Sequence, residues 1–395
     1  MVDKNSMIAW FSSLRRSSCL CVSLVGIAFC SPPIIAESQH EEITSVVLTE
    51  KPEVHWLWVN DASFERIEAG RAALVDGDTG KYLGALTTGV FFMTLALPSD
   101  YHSIYSVETY YSRGVRGERT DIVRIYDTTT LQPVGEIPIP AKRGVGAPTL
   151  FHTALTDDNR FLLIYNYTPS QSISVVNLEK RSFVGEIEIP GCVLAYPDSA
   201  RVFHSLCADG GILSVELDES GLLKRKSINK HFFDPRIDPI QEDAVRVGNQ
   251  WIYVSYGSYV HSLTNLKGEI KSDRWSLLNA TQRSASWRTG GLQLIAAHEV
   301  NDRLYVLMHQ GDEHSQELPG TEVWVYDLSA RKRVQRIELR EPAISIQVSQ
   351  DSKPLLFASA GGADLDIYDA LDGSHLRTVE HVAAFSTVLQ LPWKN

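Results

Sequence analysis

One pattern returns seven times along the chain and constrains its fold more than any other feature: an alternating strand, a polar turn headed by Asp or Asn, then a second strand. It is clear in Val123-Arg124-Ile125-Tyr126-Asp127 with Val134-Gly135-Glu136-Ile137, and in Ile173-Ser174-Val175-Val176-Asn177 with Val184-Gly185-Glu186-Ile187. Val323-Trp324-Val325-Tyr326-Asp327 with Val334-Gln335-Arg336-Ile337 repeats it, and further copies begin at Ala73, Leu213, Tyr259 and Leu365. Most copies are spaced by about 40 to 50 residues, the length of a four-stranded propeller blade. The longer gap before Val323 predicts an insertion. Within each unit apolar and polar residues alternate, as half-buried strands require. The Asp or Asn suits a turn because its short side chain bonds amides two residues on. A sheet this small cannot bury both of its faces, so neighbouring copies must cover one another. The expected fold is therefore all-β, a seven-bladed β-propeller over residues 53–395. A β-sandwich is the competing architecture, but radial closure protects sheet edges and fits seven evenly spaced hairpins better. Either residues 54–59 or residues 386–391 are expected to help close the ring.

Ahead of the repeats the chain reads as an address. Lys4 and Arg15-Arg16 precede an apolar run over residues 19–29, and Pro32-Pro33-Ile34-Ile35-Ala36 leads into Glu37-Ser38-Gln39. That is the order of a secretory signal, and its apolar part is shorter than the roughly 20 residues that span a bilayer. Residues 1–36 are expected to be a signal peptide, with no membrane span, and residues 37–52 a mobile N-terminal extension. Export removes Cys19, Cys21 and Cys30, leaving Cys192 and Cys207 with fourteen residues between them. In an exported chain such a pair reads as a disulfide, which would stabilise the fold by about 3 kcal/mol. The formal net charge of −11 disfavours nucleic acid, whose phosphates need Lys and Arg to replace released counterions.

Catalytic motifs are scarce. There is no phosphate-cradling glycine loop, no HExxH and no CxxC beyond the signal, so no cofactor or metal is expected on this chain. His309 and His314 flank the acidic Asp312-Glu313, which suits either a metal site or, more plainly, a polar insertion loop. Asp364 and Asp366, two apart on an expected strand, would share one face and read as a solvated blade edge. Arg113, Arg116 and Arg119 crowd one loop, where guanidinium forks would anchor the loop or a partner subunit. Val90-Phe91-Phe92-Met93 places four large apolar residues in a row without alternation. Some of them must face an inter-blade core, a ligand channel or a subunit interface.

With these segments in view, the chain resembles the heavy subunit of the amine dehydrogenases that carry tryptophan tryptophylquinone (TTQ) on a separate light chain. The resemblance rests on Val59-Asn60-Asp61, Val75-Asp76-Gly77-Asp78-Thr79-Gly80, the loop from Ser112-Arg113 to Arg119-Thr120-Asp121, and Trp287-Arg288-Thr289-Gly290-Gly291. Asp302-Arg303-Leu304-Tyr305 and Val348-Ser349-Gln350-Asp351-Ser352-Lys353-Pro354-Leu355-Leu356 extend it over nearly all of the mature chain. Cys192 and Cys207 fall where that family has its heavy-chain disulfide, and Glu108-Thr109-Tyr110-Tyr111-Ser112-Arg113-Gly114 looks closer to the aromatic-amine branch than to the methylamine branch. The resemblance implies a periplasmic assembly of two heavy and two light chains that oxidises primary amines to aldehyde and ammonia. Electrons would pass to a blue copper protein, azurin or amicyanin. It also implies that a heavy-chain phenylalanine lines the substrate channel. The family's Gly-Gly-Phe-Leu-Pro is replaced here by Thr88-Gly89-Val90-Phe91-Phe92, which nominates Phe91 first and Phe92 second. The alternative is a stand-alone exported propeller that binds a small ligand or a protein.

Overall fold

The computed structural model describes residues 47–91, 93–144, 146, 149–266 and 268–392. The expected signal peptide, residues 37–46 of the expected extension, and Phe92 lie outside them.

The described chain forms seven antiparallel sheets in a ring. From the axis outward, blade 1 consists of Ser386–Gln390, Trp56–Asp61, Gly70–Asp76 and Tyr82–Gly89. Blade 2 consists of Leu95–Ala96, Ile104–Arg113, Arg116–Tyr126 and Pro133–Ile139. Blades 3, 4, 5 and 7 occupy residues 153–188, 192–229, 240–276 and 345–379. Blade 6 holds the anticipated insertion: the helix Ala280–Ser284 and the added strand Trp287–Thr289 precede its remaining strands, Ile295–His298, Arg303–Gln310, Gly320–Asp327 and Lys332–Ala343. Asn279 caps that helix, and Gln282 bonds back to it to complete a capping box.

The repeats found in the sequence are the third strand of each blade, the turn after it and, where both strands were visible, the outer fourth strand. Asp76, Asp127, Asn177, Asp218, Asn265, Asp327 and Asp369 all accept backbone N–H groups two to four residues on. The turn chemistry is thus the same in every blade. The expected alternation, however, holds only at the periphery. Strand Pro133–Ile139 alternates, whereas Trp56–Asp61 and Phe161–Asn166 are buried at every position. The reason is the stacking itself, because an inner strand is covered on both faces. Leu57 and Val59 pack toward blade 7 with Phe357 and Ile367, while Trp56 and Trp58 pack toward blade 2 with Tyr101 and Ile104. Each such side chain contributes about 1.5 to 3 kcal/mol on burial.

The C-terminal strand closes the ring by pairing with Trp56–Asp61, so the first blade is built from both ends of the chain. Side-chain amides then tie the C-terminal strand to other blades. Gln390 donates to and accepts from Leu95 in blade 2, and Gln293 does the same with Leu389. Of the expected extension, residues 47–52 are described. Leu48 is docked, buried against the blade 1 and blade 2 core, and its N–H donates to the Thr129 carbonyl.

Cys192 and Cys207 stand directly opposite each other on the first two strands of blade 4 and are disulfide-bonded. Replacing both with Ala is expected to lower stability by about 2 to 4 kcal/mol. Denaturant unfolding checks this, and an unchanged midpoint would count against a stabilising role.

Candidate functional site

Antiparallel order within each blade sends two kinds of connection to the same rim: those between blades, and those joining each blade's second and third strands. On that rim the hairpin of Ile104–Arg113 and Arg116–Tyr126 is longer than most of its counterparts. Arg113, Val115 and Arg116 sit exposed at its tip, and Gly114 adopts φ 71°, a left-handed conformation that glycine accepts at no steric cost. Arg119 is different. Its guanidinium turns inward, donating from Nε and Nη2 to the Asp121 carboxylate at 2.8 and 2.7 Å and from Nη2 to the Arg143 carbonyl at 2.9 Å. Of the three clustered arginines, one therefore belongs to the interior and two face outward.

The apolar run lies beside this hairpin, in the connection from blade 1 to blade 2. Val90 and Met93 are buried. Gly89, at φ 73°, brings the backbone so close to blade 2 that a Cβ would meet that of Glu108 at 2.9 Å. Val90 then donates its N–H to the Thr109 carbonyl. Phe91 is half-buried, adopts φ 57°, and sets its ring edge-on to Tyr111 with centroids 6.4 Å apart.

The Val90–Phe91 peptide is held by a residue that no motif singled out. Arg143, in the connection from blade 2 to blade 3, is 1% exposed. It donates from Nε to Thr109 Oγ1 at 2.6 Å and from Nη2 to the Val90 carbonyl at 2.8 Å. The Thr109 hydroxyl in turn donates to Asp121, and the Arg143 N–H donates to the same carboxylate. Burial pulls the guanidinium down to about 10, with Asp121 opposing the shift and Arg119 adding to it. Arg143 thus remains charged at neutral pH. His152 follows on this rim, and burial together with the Arg143 charge takes it down to about 4, so it is a neutral imidazole at pH 7. It bonds Thr149, and its ring lies against Tyr165, which in turn meets the exposed Tyr167 edge-on. Phe91, Tyr111 and Tyr167 thus offer aromatic surface on this rim, while the Arg143 charge is buried.

A concavity of about 670 Å³ occupies the propeller axis. It is lined by inner-strand residues, among them Gln347 and Gln390, and by Asp157, Arg246 and Val300 from the opposite rim. Arg246 and Asp157 pair there through two contacts at 2.7 and 3.0 Å.

The remaining candidates separate. His309 is buried and bonded to Ser315 Oγ at 3.0 Å, whereas His314 is exposed. Asp364 precedes its strand and accepts the His381 N–H from a turn, while Asp366 lies in the strand and is bonded to His375 and Thr378. The expected shared face fails because strand Leu365–Asp369 begins one residue after Asp364.

Residues 54–391 match the family described as methylamine dehydrogenase heavy chain. The methylamine dehydrogenase heavy chain of Paracoccus versutus is 32% identical over 312 residues, which cover 78% of this chain and 73% of that protein. That of Methylophilus methylotrophus is 29% identical over 313 residues, covering 78% and 76%. Solved structures with a similar fold include Kuenenia stuttgartiensis hydrazine synthase, with a TM-score of 0.52 at 13% identity over 76% of this chain and 90% of that one. A dihydro-heme d1 dehydrogenase also has a TM-score of 0.52 at 13% identity, over 86% and 66%. At such identity the likeness to these two is one of fold alone.

Proposed function

The chain belongs to the methylamine dehydrogenase heavy-chain family, and from that premise we propose that it is the heavy subunit of an exported, periplasmic amine dehydrogenase. Residues 1–36 would direct export, and no described helix is long and apolar enough to cross a membrane. Two heavy and two light chains would assemble, with TTQ on the light chain. That group supplies the two-electron oxidation of a primary amine to aldehyde and ammonia, and a blue copper protein such as azurin or amicyanin takes the electrons.

This chain's own contribution is shape and electrostatics. Exposed at the hairpin tip, Arg113 and Arg116 are placed to bond carboxylates or carbonyls of the light subunit, with Val115 as the apolar contact between them. Phe91 lines the mouth of the substrate channel, with Tyr111 as its support. The observation that carries the reading is the family match across every blade, joined to a phenylalanine presented half-buried beside the arginine-bearing hairpin.

Co-purification from the native periplasm, followed by mass analysis of the bound small subunit for crosslinked, oxygenated tryptophans, tests the assembly. Recovery of the chain alone and free of any such partner would overturn it. For the channel, Phe91→Ala in the assembled enzyme is expected to change the ratio of kcat/KM for 2-phenylethylamine over methylamine by roughly tenfold. An unchanged ratio would remove Phe91 from the channel.

A further inference from the structure

The Val90–Phe91 peptide bond is gripped at both of its polar atoms. Its carbonyl accepts from Arg143 Nη2 at 2.8 Å, and its N–H donates to the Ile67 carbonyl at 2.8 Å. Fixing that plane, together with the φ of Phe91, sets the direction in which its side chain leaves the backbone. Such fixing is needed, since φ 57° is uncommon for a residue with a Cβ and persists only where neighbours over-determine it. Ile67 supplies one half of the grip from the backbone of blade 1. The other half comes from a single side chain that reaches over from the connection to blade 3.

We propose that Arg143 is the positioning residue for Phe91, and that by holding the Val90 carbonyl it sets which sizes of amine pass the channel mouth. This rests on the reading of Phe91 given above. Three features make Arg143 suited to the task. Its fork engages the Val90 carbonyl and Thr109 Oγ1 together, which a point-charge ammonium cannot do in one plane. Its orientation is itself imposed, because the hydroxyl it donates to is held by Asp121, and that carboxylate is held by Arg119. Finally, burial removes the water that would otherwise compete for the Val90 carbonyl. The loop arginine Arg119 thereby acquires a role inside the heavy chain, as the outer member of a relay from Asp121 through Arg143 to Phe91.

The test uses the assembled heavy–light enzyme carrying Phe91→Ala or Arg143→Lys, with methylamine and 2-phenylethylamine as probes and hydrogen exchange of the amides in residues 89–94 as a second readout. Arg143→Lys is expected to raise exchange at the Phe91 amide by about tenfold through local opening. It should also move the substrate ratio in the same direction as Phe91→Ala, and more through KM than through kcat. If Phe91→Ala shifts the ratio while Arg143→Lys leaves both the ratio and the exchange unchanged, the inference is overturned and the channel reading stands. If neither variant shifts the ratio, the channel reading falls and the inference falls with it. Should Arg143→Lys not assemble, Thr109→Val carries the same expectations, since it removes the hydroxyl that orients the fork and leaves every charge in place.

Discussion

A chain ending at Phe385 is expected not to fold, although it would keep six complete blades and three strands of the first. The missing strand, Ser386–Gln390, carries Val388 and Leu389, and Leu391 follows it; all three are buried. Losing them forfeits about 1.5 to 3 kcal/mol apiece. The truncation also strips partners from groups that stay behind. Gln293 loses both bonds to Leu389, Ser345 loses the Thr387 carbonyl, and Ser359 loses Ser386. A buried polar group left unsatisfied costs about 1 to 3 kcal/mol, so the combined loss is as large as the roughly 5 to 15 kcal/mol that holds a typical protein folded. Leu95 would lose Gln390 as well, opening blade 1 away from blade 2. The expected result is an aggregated product without a cooperative thermal transition. A soluble truncated chain with a single sharp transition and intact near-ultraviolet dichroism would contradict ring closure as the source of stability.

The repeat was legible because it rests on local chemistry. An Asp or Asn that bonds amides just ahead of it leaves the same short signature in every blade, whatever the blade packs against. Asp127 and Asp369 carry that signature in blades with different neighbours. Burial of whole strands was not legible as alternation, because Leu57 and Trp58 point to opposite faces and yet both meet protein. Only the ring supplies the second covering face, and a ring is a property of all seven sheets together.

At the site the same limit recurs. Phe91 and the hairpin arginines were visible as a local excess of one residue type. Arg143 was not, since Lys142-Arg143-Gly144 reads like any basic loop. Its burial depends on Val90, Thr109 and Asp121, which are 53, 34 and 22 residues away along the chain. Asp364 and Asp366 erred in the other direction, where a spacing that would share a face on a continuous strand was broken by a strand start.

Asp243 should make stability fall as pH rises from about 4 to about 8. Its carboxyl lies in the inner strand of blade 5 and accepts the Ile295 N–H of blade 6 at 3.0 Å. Burial outweighs bonds from the backbone of Ile295, Leu294 and Ala244 and raises it from 3.8 to about 8. Below pH 3.8 both the folded and unfolded chains carry the proton, and the neutral group's contribution is fully present. Between the two values the unfolded chain releases its proton to water while the folded chain keeps it, so each step in pH favours unfolding. Above about 8 both are ionised and the loss is complete, on the order of 5 kcal/mol. Asp243→Asn cannot titrate. Carboxylates held below their usual range, such as Asp198 beside His204 and Asn265, contribute the opposite slope to both proteins and cancel in the difference. The stability of the Asn variant relative to the parent is therefore expected to climb steadily across pH 4 to 8 in denaturant titrations. Parallel curves would mean that the buried carboxyl is ionised throughout, and that the backbone amides of blade 6 hold its charge against desolvation.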